Sequence, residues 1–191
     1  MIRSWILNPN FIGIYDNVLT QEDCDRLINQ FERSEKNPGL VLEDGVSGVK
    51  NDKTKKGVEI ESKFSREDFV SNTIKPFLFS CIDRYSEEYP GVNQYLSPWK
   101  YDDEYTFKKF EFKDDGFKRW HTEHNKGSES RILVWMFYLN DAKSGTEFMH
   151  YPTIRAKMGR CIIWPASWSH IHRSAPNKGL KYIISGWISY Q

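Results

Sequence analysis

The stretch RILVWMFYLN, residues 131–140, is apolar on both of the faces that an extended strand presents. A strand with one face in water alternates, so this one needs cover on each side and reads as a central strand. Its surroundings have the same texture. TFKKFEF (106–112) alternates, and GRCIIW (159–164) and KYIISGWISY (181–190) are further strands. Turn signals separate them: DDG at 114–116, NDAKSG at 140–145 and PNKG at 176–179.

Helical periodicity is confined to the first half. In LTQEDCDRLINQFE, Thr20 is placed to cap a helix that carries Cys24, Leu27, Ile28 and Phe31 on one side. From Phe69 to Tyr85, Phe69, Val70, Ile74, Phe77, Leu78, Cys81, Ile82 and Tyr85 recur at helical spacing, and Pro76 must start a new turn or kink the helix. Between them, residues 43–63 are polar and lysine-rich. They read first as a solvated loop and second as a mobile lid over a site.

Helices followed by strands give an α+β fold, with N-terminal helices packed on one side of a mainly antiparallel sheet system. The form that buries a two-faced strand and leaves a pocket between its sheets is the double-stranded β-helix, or jelly roll. The 191 residues suit a single domain spanning 1–191, with a helical support region over about 1–100 and the jelly-roll part over about 101–191.

Composition narrows the function. Lys plus Arg (27) nearly balances Asp plus Glu (26), and a net charge of +1 gives no reason to expect nucleic acid or an anionic membrane as partner. Cys24, Cys81 and Cys161 are far apart and each lies in an apolar pattern, so they read as reduced core residues. The N-terminal MIRSWILNPNFIGIYDN falls short of a secretory signal, and no run reaches membrane-spanning length. A cytoplasmic protein is expected. Nothing in the sequence indicates an oligomeric state.

Chemistry concentrates around the histidines. In WHTEHN (120–125), extended geometry turns His121 and Glu123 to one side and His124 to the other. A second cluster, PASWSHIHRSAP (165–176), offers His170 and His172. One histidine from it would complete a set of two imidazoles and one carboxylate, which leaves three positions open on ferrous iron. An HxE pair alone is a weak signal. Here it is followed by the two-faced strand, a glycine turn, another strand, the second histidines, and a lysine opening the last strand. Lys181 shares a face with Ile183, Ser185, Trp187 and Ser189, and either snorkels to solvent or serves a buried anion.

With these motifs the sequence resembles the Fe(II)/2-oxoglutarate-dependent dioxygenases, in particular the prolyl 4-hydroxylase-like branch. FIGIYDNVLTQEDCDRLINQFE resembles that branch's opening strand and helix, and GFKRWHTE its first metal motif. SGTEFMHYP resembles the glycine turn and strand, GRCIIWPASWSHIHRSAP the second metal motif, and GLKYIISGWI the terminal strand. The resemblance implies His121, Glu123 and His172 as iron ligands, with His170 as runner-up, and Lys181 as the cation for the distal carboxylate of 2-oxoglutarate. It implies Fe(II), 2-oxoglutarate and O2 as cofactor and co-substrates, and allows ascorbate as an accessory reductant. The implied reaction is hydroxylation of an unactivated C–H bond, foremost of proline in a peptide or protein, with release of succinate and CO2. A small-molecule substrate stays open.

The chain departs from the family pattern at three places. Glu123 stands where aspartate is commoner; Phe112 stands where a tyrosine often contacts the co-substrate, leaving Tyr105 or Tyr138 to supply a hydroxyl; and a single Gly145 stands where a pair is frequent. Trp187 and Ile183 would wall the pocket, and Arg173 would meet the co-substrate, a nearby carboxylate or solvent. Two rival readings keep the jelly roll. One is a cupin-like metalloenzyme in which His121, Glu123, His170 and His172 bind one ion without 2-oxoglutarate. The other is a non-catalytic binding module that uses Trp99, Trp120 and Trp168 to grip a sugar or peptide.

Overall fold

The computed structural model describes residues 10–43, 46–51 and 53–191. The reading of positions 1–9 against a signal segment, and of positions 44, 45 and 52 within the 43–63 loop, lies outside them. In chain order the elements are β1 (Gly13–Tyr15), α1 (Gln21–Arg33), β2 (Asn37–Pro38), β3 (Val41–Glu43), β4 (Val46–Val49), β5 (Lys55–Lys56) and β6 (Val58–Lys63). Then come α2 (Phe69–Glu88), α3 (Gly91–Tyr95), β7 (Trp99–Phe110), β8 (Gly116–Phe117) and β9 (Arg131–Tyr138). The chain continues through β10 (Gly145–Phe148), β11 (Ile154–Arg155), β12 (Arg160–Pro165), β13 (His172–Ser174) and β14 (Lys181–Tyr190). None of the described helices is long and apolar enough to cross a membrane.

The major sheet runs β1-β12-β9-β14-β7-β6-β2, antiparallel throughout, and faces a smaller sheet, β11-β10-β13. This is the expected double-sheet core with helices on one side. Alternation divides each long strand between two interiors. Leu133, Trp135 and Phe137 of β9, with Tyr182, Ile184 and Ile188 of β14, pack against the helices. Val134 and Tyr138, with Ile183, face the small sheet. The two-faced stretch at 131–140 is therefore covered by helices on one side and by the jelly-roll interior on the other.

Thr20 and Asp23 form a reciprocal capping box that starts α1, and Cys24, Leu27 and Phe31 are its buried face. Phe31 meets Phe107 of β7 and Tyr182 of β14, at 4.6 and 5.8 Å between ring centroids. Burying a side chain such as Leu27 or Phe31 contributes roughly 2–3 kcal/mol. Asp68 caps α2 by accepting from Ser71 N–H, and the helix runs unbroken across Pro76. Gly186 lets β14 pass Trp135, since a Cβ there would lie 2.4 Å from the indole.

Residues 43–63 are not the solvated loop that their composition suggests. β6 pairs along β7 in the major sheet, with Val58 and Ile60 packed toward the helices. Its glutamates divide: Glu59 is buried against Lys55 of β5 at 2.7 Å, and Glu61 stands exposed at the rim of a cavity. The three cysteines are buried and free, as their apolar settings indicate.

Candidate metal centre

His121 and His172 are far apart in sequence and adjacent in space because their backbones bridge. His121 N–H donates to His172 O at 3.0 Å, and His172 N–H returns a bond to His121 O at 2.9 Å, which places the imidazole centroids 4.3 Å apart. Two residues on, Glu123 N–H donates to Ala166 O at 3.2 Å, just past the end of β12. The ligand-type atoms of His121, Glu123 and His172 all lie within 4.8 Å of one another.

The remaining polar atoms set the orientation. His121 Nδ1 lies 2.9 Å from Arg119 O, and His172 Nδ1 lies 3.0 Å from His170 O. A carbonyl only accepts, so each Nδ1 carries a proton, which in a neutral ring leaves the lone pair on Nε2. Both Nε2 atoms face Glu123 Oε1, at 3.5 and 3.6 Å. Glu123 Oε2 is held from behind by the Trp187 indole N–H at 3.1 Å and by Arg131 at 3.4 Å. Arg131 in turn lies over the Trp187 ring, 3.6 Å from its centroid. Burial raises the Glu123 pKa, but the two histidines outweigh it and hold the carboxyl well below the usual range; burial, then the neighbouring His172, lowers that of His121. Two neutral imidazoles and one carboxylate is the state a divalent cation requires.

These atoms open onto a cavity of about 920 Å³ between the two sheets. Its wall includes Lys181, Ile183, Ser185 and Trp187 of β14, the face expected from alternation. Lys181 is only 1 % exposed. Its ammonium contacts Ser144 Oγ at 3.1 Å and Gly145 O at 3.4 Å and sits over the Phe110 ring; no carboxylate among the described residues lies within ion-pair distance. Burial alone pushes its pKa down to about 8. Gly145 permits this arrangement, because a Cβ there would fall 1.9 Å from Ile154 O.

Residues 105–189 match the family model of the 2OG-Fe(II) oxygenase superfamily. That segment carries all three converging side chains and Lys181. Over that segment, a little under half of the chain, the protein is similar to that superfamily. The chain also shares its fold with solved prolyl hydroxylases at low identity. A Trichoplax adhaerens prolyl hydroxylase, solved with a hypoxia-inducible-factor oxygen degradation domain peptide, superposes with a TM-score of 0.72 at 16 % identity, over 96 % of this chain and 85 % of that one. A Pseudomonas putida prolyl-4-hydroxylase gives 0.69 at 13 % identity, over 97 % and 95 %. The viral collagen prolyl hydroxylase of Paramecium bursaria Chlorella virus-1 gives 0.65 at 16 % identity, over 100 % and 96 %. Comparison with curated protein sequences returns no match.

That similarity implies Fe(II) and 2-oxoglutarate, and the residues present fit both: two imidazole nitrogens and one carboxylate oxygen converge, and a buried cation with no carboxylate partner among the described residues faces the same cavity. Tyr138 borders the cavity, its hydroxyl 2.6 Å from Thr146 Oγ1. Tyr105 does not. Odd positions of β7 there face the helices, so its ring packs on Phe64 and its hydroxyl donates to Asp68 at 2.7 Å. Phe112 is likewise outside the site, 63 % exposed, and the aromatic beside Lys181 is Phe110.

His170 is turned away: its Nε2 contacts Asn10 O at 2.7 Å, its Nδ1 contacts Ser169 Oγ at 2.9 Å, and its ring stacks on Tyr151. His124 is exposed, as expected, although only His121 of this stretch pairs as a β-bridge. Arg173 finds the carboxylate of Glu147 at 2.8 Å and lies over Trp120. Sequence reasoning did not single out Arg131, which braces Glu123, or Lys108, whose ammonium also lines the cavity. For Lys108 the signal was present, since it alternates with Thr106 and Phe110 in TFKKFEF.

Proposed function

We propose that this protein is an Fe(II)- and 2-oxoglutarate-dependent hydroxylase acting on proline in a peptide or protein, with release of succinate and CO2. The observation that carries the reading is the pairing, in one cavity, of the His121–Glu123–His172 convergence with the unpaired ammonium of Lys181. His121 Nε2, His172 Nε2 and Glu123 Oε1 would hold the iron. Bound Fe(II), with O2, supplies the oxidising power that couples decarboxylation of 2-oxoglutarate to hydroxylation of a C–H bond.

The protein's own part is positioning. Trp187 and Arg131 fix Glu123 so that one oxygen is presented and the other is occupied. Lys181 would pair with the distal carboxylate of 2-oxoglutarate, trading a costly isolated charge for a buried ion pair. Tyr138 and Thr146 would add hydroxyl contacts beside it, and Ile183, Val134 and Met136 keep that end apolar. A cavity of about 920 Å³ has room for a five-carbon diacid and a substrate ring together. The peptide bound to the Trichoplax neighbour supports a polypeptide substrate here.

The four-ligand rival loses its fourth ligand, because both ring nitrogens of His170 are already engaged. The binding-module reading loses its platform: Trp168 is 76 % exposed away from the cavity, Trp99 packs on Tyr101, and of the three only Trp120 lines it. The test is anaerobic titration of 2-oxoglutarate into the Fe(II) protein, followed by succinate measurement in air with a pool of proline peptides. A visible charge-transfer band and peptide-stimulated succinate are expected. Absence of both would overturn the proposal.

A further inference from the structure

Lys108 is a further cation on the wall of the cavity. Lys108 lies on β7 opposite Ile183 of β14 and Glu59 of β6, and its ammonium donates to Ser185 Oγ at 3.2 Å. Ser185 is two strand positions from Trp187, the residue that braces Glu123, so this ammonium sits on the metal side of Lys181. The carboxylate across the strand is already taken, since Lys55 Nζ lies 2.7 Å from Glu59 and Leu40 N–H also donates to it. Among the described residues, no carboxylate comes within ion-pair distance of Lys108 Nζ. The acids on the cavity wall are Glu123, which is held by its own partners, and Glu61, which is exposed. Arg119 and Lys126 add positive charge to the same wall. Burial of a lysine in this setting is costly, and burial, reinforced by the charge of Lys55, pushes its pKa down to about 8.

We propose that Lys108 is a specificity-determining contact for a carboxylate carried by the substrate. It would select prolines with an acid beside the reacting ring: an acidic side chain next in a peptide, or the α-carboxylate of free proline. This rests on the proline-hydroxylase reading for the nature of the ring, and on the cavity geometry alone for the carboxylate. Lys181 is the deeper and more completely buried cation, and it serves the co-substrate; Lys108, half-buried and nearer the metal side, serves the substrate.

The experiment uses three probes: acetyl-Gly-Pro-Asp-amide, acetyl-Gly-Pro-Gly-amide and free L-proline. Each is titrated calorimetrically into the wild type, Lys108→Met and Lys108→Arg, both metal-free and loaded with Mn(II) and 2-oxoglutarate. At least one carboxylate-bearing probe should bind the wild type about tenfold more tightly than the neutral peptide, and which of them does so identifies the source of the carboxylate. Lys108→Met should lose that preference and Lys108→Arg should keep it, with 2-oxoglutarate affinity unchanged in both. Equal or absent binding of all probes, or a preference that survives Lys108→Met, overturns the proposal. So does weakened 2-oxoglutarate binding in Lys108→Met, which would make Lys108 a co-substrate contact. If the wild type fails to bind 2-oxoglutarate while the metal-free preference persists, the oxygenase reading falls and the carboxylate site stands.

Discussion

Replacing Lys181 by methionine should make the protein more stable and the co-substrate weaker. The ammonium is 1 % exposed, and burial brings its pKa from an ordinary 10.5 to about 8, which corresponds to a cost of about 3 kcal/mol at neutral pH. Methionine matches its length and leaves nothing orphaned. Ser144 Oγ still donates to Ala175 O at 3.0 Å, and Gly145 O still accepts from Ala175 N–H. After allowance for two lost hydrogen bonds at about 1 kcal/mol each, about 1 kcal/mol of stabilisation remains, or roughly 2–4 °C in thermal midpoint for a chain of this size.

The pH dependence has a definite sign. Between pH 8 and 10.5 the unfolded chain keeps the lysine proton and the folded chain has released it, so wild-type stability rises with pH. The gain from methionine is therefore full below pH 8 and fades above it. Calorimetric unfolding at pH 7 and pH 10 checks both points. In the same variant, 2-oxoglutarate affinity should fall by roughly 100-fold, the cost of losing one buried ionic partner. A variant less stable than wild type at pH 7, or one that binds 2-oxoglutarate normally, would refute the reasoning.

The two histidines of the second motif should separate cleanly. His172→Ala should abolish iron-dependent succinate formation and metal binding. His170→Ala should retain metal binding and lose roughly 1–3 kcal/mol of stability through its severed bonds to Asn10 and Ser169, as read by chemical unfolding. Trp187→Phe removes the N–H that holds Glu123 Oε2 and should weaken Fe(II) binding by about tenfold, seen in competition with a chelator. Gly145→Ala places a methyl 1.9 Å from Ile154 O and should destabilise the protein by about 3 kcal/mol or more, with the thermal midpoint as readout.

What was legible in the sequence follows from where alternation is clean. The two faces of 131–140, the helix at 21–33 with its Thr20 cap, and the Lys181 face of the last strand all repeat with one period and appear as expected. The segment 43–63 misled because strand β6 alternates apolar residues with glutamates, and the charges of the buried Lys55–Glu59 pair look in sequence like charges in water. Tyr105 misled for a related reason. Residue type nominated a hydroxyl, but the side of β7 on which it stands was decided by its register against β14. Lys108 was overlooked because a KK pair on an alternating strand sends its two lysines to opposite faces, and Lys109 indeed reaches Glu32 of α1 at 3.0 Å.

The mutual backbone bonds between His121 and His172 also bear on kinetics. The cost in chain entropy of bringing the two imidazoles together is met when the protein folds, before any ion arrives. A cation held there would act as a clasp across the edge of the small sheet, and its escape would require that edge to open. Exchange of those two amide hydrogens and dissociation of the metal should therefore slow together, reporting a single local opening event.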